Sequence, residues 1–259
     1  MTNTNQIKES LDAGYNFIPS TYFSSGFNYF RERIGEFIGF TILYLLIFLL
    51  TGFIPVIGTL ISLVISGPLS IGMVIFTHQL HTGQNPEFSN FFDGFKKFTP
   101  LFATYILQMA VYLILATPLL LLIGVDILTA FASGDAEAMM ESGDLFIQNS
   151  GILFVYSLLF IYVAISFRWS LHLAYFHNYS PLHAIKTSFL LVNKKWGSHL
   201  IFAVICAFAA ILGVMALFVG LFVSIPLISI ADYLGYAHVT GIDNPGSESA
   251  DYDSENYMV

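Results

Sequence analysis

Between Trp196 and Ala231 the chain carries no Asp, Glu, Lys or Arg, and one acid, Asp232, then follows inside the same apolar stretch. The run breaks at Gly220 and closes at Gly241. That is the length of two membrane crossings folded as a hairpin, since each crossing needs roughly 20 apolar residues at about 1.5 Å rise. A degenerate copy lies early in the chain. Arg33-Ile34-Gly35 opens the first hairpin as Lys195-Trp196-Gly197 opens the second, Ser66-Gly67-Pro68-Leu69 matches Ser224-Ile225-Pro226-Leu227, and Thr82-Gly83 and Thr240-Gly241 close them. The interval from Pro to the final Gly is equal in both copies. Gly35 to Pro68 is four residues longer than Gly197 to Pro226, an excess assigned here to the first outer turn.

Composition extends the membrane reading to the whole chain. Of 259 residues 56% are apolar and 10% charged, with a mean hydropathy of +0.74, against about 25% charged in an ordinary soluble domain. The formal charge of −8 excludes nucleic acid as a partner, and most of the acid sits in one loop and one tail. The single Cys206 falls inside an apolar run and leaves no intrachain disulfide. Residues 1–20, with Lys8, Glu9 and Asp12, form a polar N-terminal segment without the apolar core of a signal peptide.

The expected architecture is all-α: six transmembrane helices at 36–54, 57–79, 101–124, 151–174, 198–218 and 221–240, inside a membrane domain spanning 21–241. Three amphipathic segments precede outward-running spans and are read as interfacial elbow helices. Phe23, Phe27, Phe30 and Ile34 recur at steps of four, three and four before span one; Phe88, Phe91, Phe92, Phe95 and Phe98 mark a face before span three; Leu182, Ile185, Phe189, Val192 and Trp196 mark one before span five. The loop at 126–144 holds five acids and no base, and the acidic tail at 242–259 has too little apolar content to fold alone. With both termini cytoplasmic, all nine bases lie on or near the cytoplasmic side and the outer connections carry none. The two hairpins then run in the same sense, a parallel duplication unlike the inverted repeats of many transporters.

The elbow sequences Phe95-Lys96-Lys97-Phe98 and Asn193-Lys194-Lys195-Trp196-Gly197 carry a resemblance. Over residues 22–241 the chain resembles a broad group of bacterial six-helix proteins that includes the membrane domain attached to some glycerophosphoryl diester phosphodiesterases. No counterpart of the phosphodiesterase catalytic domain is present. The resemblance implies a multi-pass protein of the bacterial cytoplasmic membrane and assigns it no chemistry.

Three groups of residues are candidates for function. Arg168 and Asp232 lie at similar depth in spans four and six, where each charge alone costs about 2.5–3.5 kcal/mol to insert. They form a static clamp or part of an ion path, or else Arg168 snorkels to the interface without meeting Asp232. His78 and His81, three residues apart, with His238 or His172 as a third ligand, have the spacing of a weak metal site. Histidines satisfied by headgroups or water are the commoner arrangement, and no metal or other cofactor is expected. Arg31, Arg33, Lys96, Lys97, Lys194 and Lys195 set topology and offer contacts to anionic lipid headgroups at about 1 kcal/mol per base. The expected function is a non-enzymatic membrane component that binds lipid or a partner protein. A small-solute or ion carrier using the Arg168/Asp232 region is the alternative, and a membrane-embedded enzyme comes third.

Overall fold

The computed structural model describes residues 3–54, 56–133 and 144–242. The loop acids Asp135, Glu137 and Glu141 and the acidic tail beyond Ile242 lie outside the described residues. Among the described residues every element is helical. Six helical stretches are long and apolar enough to cross a membrane: Ile34–Gly52, Ile57–His81, Phe88–Leu122, Ser150–Phe176, Trp196–Met215 and Leu221–Thr240. This is a multi-pass membrane protein.

In chain order the helices are α1 (Asn3–Asp12), α2 (Pro19–Glu32), α3 (Ile34–Gly52), α4 (Ile57–Ser70) and α5 (Gly72–His81), followed by a 3-10 helix at Phe88–Lys97. Then come α6 (Phe98–Leu119), a π segment at Leu120–Gly124, α7 (Val125–Ser133), α8 (Ser150–Phe167), α9 (Ser170–Phe176), α10 (Pro181–Lys194), α11 (Trp196–Met215) and α12 (Leu221–Thr240). The chain divides into two compact units, Met1–Tyr105 with Ser166–Val259, and Ile106–Ile165.

In the first unit α12 is the central helix, packing against α1, α2, α3, α5 and α11. Leu221–Thr240 and Ile57–His81 each have 56% of their apolar window buried, whereas Ile34–Gly52 and Trp196–Met215 have 17%. The inner pair is therefore covered by protein and the outer pair leaves most of its surface to lipid. The sequence of α12 matches that position. Its C-terminal half carries Tyr233, Tyr236 and Asp232 among small apolar residues, and it stops at Gly241, whose φ of 65° forms a left-handed cap with its N–H on the Ala237 carbonyl. Gly83 ends α5 with a φ of 77°.

The segment before α6 departs from the expected amphipathic α-helix. It is a 3-10 helix, and at three residues per turn Phe88, Phe91, Gly94 and Lys97 fall in one row. The middle of that row, Phe91 and Gly94, is buried against protein, while Phe88 is exposed. Phe91 is fully buried between Phe40 and Phe76, with ring centroids 4.4 and 4.0 Å away and planes 9° and 4° apart, while Phe37 meets Phe76 and Phe91 edge-on. A Cβ at Gly72 would lie 2.3 Å from the Phe91 carbonyl oxygen, and one at Gly94 would lie 2.1 Å from that of Pro68. Only glycine admits this approach of the 3-10 helix to α4 and α5. The phenylalanines of the segment thus do not share one lipid-facing side, because a period of 3.0 rather than 3.6 regroups them.

Two other expectations are corrected. The four extra residues of the first hairpin do not lengthen its outer turn, since 53–56 is no longer than 216–220. They extend α4 instead: Pro68 lies near the end of α4, whereas Pro226 lies near the start of α12. The helix expected to stop at 124 continues to Ser133. Pro118 removes an N–H and crowds the preceding turn, the ladder widens into the π segment two residues later, and no further Pro or Gly ends the helix before Ser133.

The second unit holds these elements with most of α6 and α8. Within it Tyr112 and Phe160 stack at 6.4 Å, and Leu113, Ile114, Phe154 and Val155 are exposed apolar side chains with the character of a lipid-facing surface.

Replacing Phe91 by Ala removes the middle ring of the stack and should cost about 3–5 kcal/mol of stability. In thermal unfolding of the detergent-solubilised protein, Phe91→Ala is expected to melt well below the wild type, while Phe95→Ala, at an exposed position, changes little.

Candidate functional site

Asp232 is largely enclosed by the polypeptide on α12, and the chain meets its charge by breaking another helix beside it. α8 ends at Phe167, Trp169 leaves helical geometry with φ −96° and ψ 6°, and α9 restarts at Ser170. The backbone groups released by the break are recovered by Ser188 of α10. Its hydroxyl accepts from the Trp169 N–H at 3.2 Å and donates to the Ser166 carbonyl at 2.9 Å. The break directs two neighbouring side chains to one carboxylate oxygen. Asp232 Oδ1 accepts from Arg168 Nε at 2.9 Å, from Arg168 Nη2 and from Trp169 Nε1 at 3.1 Å, while His172 Nε2 lies 3.4 Å from Oδ2.

The third guanidinium nitrogen points the other way and fixes a tautomer. Arg168 Nη1 lies 3.3 Å from His199 Nδ1. A guanidinium only donates, so Nδ1 accepts and the ring proton is on Nε2. That proton is directed at Tyr15 Oη, 2.8 Å away, and the Tyr15 hydroxyl donates to the Leu191 carbonyl at 2.8 Å. The direction of each hydrogen bond from Asp232 to Leu191 is thereby set. Aromatic rings close round the cation: the Arg168 guanidinium lies 4.0 Å from the centroid of Phe202, 5.5 Å from Trp169 and 5.9 Å from Phe17, and Phe17 stacks on His199 at 4.1 Å. Arg168 and Asp232 keep only 13% and 19% of their side-chain exposure. Every nitrogen of Arg168 is engaged by protein, which is the geometry of a clamp between the α8–α9 break and α12.

The N-terminal segment completes this site. α1 packs on α12 and α10, with Ile7 and Ser10 buried and the Ser10 hydroxyl on the Val239 carbonyl at 2.8 Å. Tyr15 and Phe17 then reach over Arg168 and His199. Burial holds the phenols of Tyr15 and Tyr22 above their usual range.

Five of the seven histidines each meet a different tyrosine hydroxyl. Tyr22 bonds His238 Nδ1 at 2.7 Å, Tyr29 bonds His81 Nδ1 at 2.7 Å, Tyr233 bonds His78 Nδ1 at 2.8 Å and Tyr236 bonds His177 Nδ1 at 2.7 Å. With Tyr15 and His199 this makes five pairs, drawn from α2, α5, α11, α12 and the connections before α2 and after α9. The weak metal candidates His78, His81 and His238 thus each meet a different phenol. Among the described residues no three metal-binding side chains converge. His177, just beyond α9, is lowered to about 4 by burial.

The six basic candidates separate into two kinds. Arg33 bonds Glu36 and Asn85, and Lys97 bonds the Tyr175 carbonyl at 2.8 Å and Asn178 Oδ1 at 2.6 Å, so both hold protein to protein. Arg31, Lys96, Lys194 and Lys195 are exposed; Lys96 pairs with Asp93 at 2.8 Å and Arg31 lies over the Phe27 ring.

No protein-family model, curated protein or solved structure matches the chain. The geometry therefore carries the functional reading alone. Sequence reasoning missed the tyrosine partners and Trp169, although two signals were present: Tyr15, Tyr22 and Tyr29 repeat every seven residues, and Trp169 adjoins Arg168.

Breaking the clamp from one side leaves a buried charge behind, whereas removing both sides does not. Arg168→Gln and Asp232→Asn should each lower the melting temperature in detergent. The double variant should lose less than the sum by roughly 0.5–3 kcal/mol of coupling. Additive losses in this double-mutant cycle would contradict the clamp.

Proposed function

We propose that the protein is a non-enzymatic component of a bacterial cytoplasmic membrane, with both termini cytoplasmic, that gathers anionic lipid headgroups around the cytoplasmic ends of its spans. The observation that carries this reading is the set of exposed bases, Arg31, Lys96, Lys194 and Lys195, each at the start of an outward-running span. Each contributes about 1 kcal/mol of attraction to an anionic surface. The site around Asp232 supports a structural part for Arg168, since its hydrogen-bonding capacity is spent on Asp232 and His199.

The same reading treats α2, the 3-10 helix and α10 as interfacial elbows and the two hairpins as a parallel duplication. Its support is local geometry. α2 and α10 are both 14 residues long with Pro in the first turn, and each joins its span through a basic residue in the same conformation: Arg33 at φ −132°, ψ 42° and Lys195 at φ −136°, ψ 41°. The resemblance to the six-helix membrane domains found beside phosphodiesterases belongs to this proposal too.

Two measurements test it. With Arg31, Lys96, Lys194 and Lys195 all changed to Gln, lipid mass spectrometry of the purified protein should show anionic lipid falling to less than half of the wild-type amount, with the spans still inserted. Equal retention would leave these bases with topology alone. In a Cys206→Ala background, Ser133→Cys should label from outside intact cells and Lys186→Cys only after permeabilisation. Labelling of both from one side would overturn the orientation.

A further inference from the structure

A cavity of about 390 Å³ lies beside the last turns of α5 and α12, where His81 and His238 end the two central spans. α1 contributes Gln6 to its wall, and α2 contributes Tyr22, Ser25 and Tyr29. The α2 residues are spaced by three and four, so they form one face of that helix. An anchor helix lying on a bilayer sends its polar face to water. α2 turns this polar face inward, with Tyr22 6% exposed, and leaves Phe27 45% exposed on the other side.

The chemistry of the wall is uniform. Its polar side chains are phenol, hydroxyl, imidazole and carboxamide, types that both donate and accept hydrogen bonds, and a ligand meets four of them as the pairs Tyr22–His238 and Tyr29–His81. None is a Lys or Arg, which only donate, nor an Asp or Glu, which when ionised only accept. A phosphate would bring acceptors alone and a negative charge with no fixed cation to meet it; an ammonium would find no carboxylate. A hydroxyl group matches such a wall whichever tautomer the two histidines hold. Leu234 adds one apolar patch, of the kind that the C–H face of a sugar ring covers. The volume is at the small end for ligand sites and suits a single ring.

We infer that this cavity binds an uncharged, hydroxyl-rich group, a hexose or similar polyol, presented either free or as the headgroup of a neutral glycolipid. Its position at the ends of the spans is reachable by both sources. The inference does not depend on the exposed elbow bases, which lie outside the cavity wall.

The test uses the full chain in phosphatidylcholine nanodiscs, purified in a sugar-free detergent, with the histidine rings labelled with ¹⁵N. The probes are glucose, monoglucosyl diacylglycerol in the disc, inorganic phosphate and phosphatidic acid. Glucose or the glucolipid should shift the His81 and His238 signals and raise the melting temperature. A response to the glucolipid only assigns a membrane source, and a response to free glucose as well assigns a soluble one. Ser25→Phe, which fills the cavity, should abolish the response. Tyr29→Phe, which keeps the ring and removes one hydroxyl, should weaken it by about tenfold, the loss of one hydrogen bond. The second variant decides the matter if the first does not fold. Silence toward both sugar probes, a response to phosphate or phosphatidic acid in their place, or an unchanged response in the variants overturns the inference.

Discussion

A carboxylate inside an apolar helix must be compensated within a few ångströms, and in this protein Asp232 sets that requirement for everything around it. The charge lies on one of the two most enclosed spans and keeps only 19% of its side-chain exposure, so its compensation is supplied by protein. Compensation comes from the break between α8 and α9, which gives up regular helix geometry at Arg168 and Trp169 and brings Arg168, Trp169 and His172 to one carboxylate. The break in turn needs Ser188, which ties α10 to it, and the free side of Arg168 needs His199, which ties in α11 and Tyr15. Elements far apart in sequence thus share one register. A buried pair of this kind adds less to stability than its contacts imply, because desolvation offsets the attraction, yet it penalises every arrangement in which either charge is alone.

The surrounding tyrosine and histidine pairs extend the same logic. A buried imidazole has two ring nitrogens to place and a buried phenol one hydroxyl, and each pair satisfies the hydroxyl and one of the nitrogens. The pairs connect α2 to α5 and α12, and α12 to α5 and the loop after α9, so polar contacts join the C-terminal ends of the central spans, while toward the opposite end Ser62 of α4 bonds Thr51 of α3 within otherwise apolar packing. This asymmetry between the two ends matches the placement of the bases. Lys97 and Arg33 belong to the holding network, whereas Arg31, Lys96, Lys194 and Lys195 remain on the surface.

The resulting protein has two chemically distinct features at one end, an exposed basic rim and a neutral polar cavity. A carrier reading drew on Arg168 and Asp232 because charges in spans commonly mark pathways. Here Phe17, Trp169 and Phe202 surround the guanidinium and directed hydrogen bonds engage all of its nitrogens, which favours the structural reading proposed above.

The sequence alone determined the class of structure. Apolar runs of fixed length, separated by Gly and Pro, leave helices crossing a bilayer as the solution, and the uncharged run from Trp196 with its lone acid Asp232 marked a two-span hairpin. It also placed Arg168 and Asp232 at comparable depth. What it left open depended on three-dimensional neighbours. Whether Phe91 met lipid or protein turned on a helical period of 3.0, which the close approach at Gly72 and Gly94 permits and hydropathy does not encode. The polar residues of 1–20 gave no sign that Tyr15 and Phe17 would cover a buried cation, because that contact joins segments more than 150 residues apart. The histidines were read against metal and headgroups, and only tertiary packing supplied the phenols that they meet. Local pattern fixes which surface of a helix is apolar; which partner covers it is decided where distant helices converge.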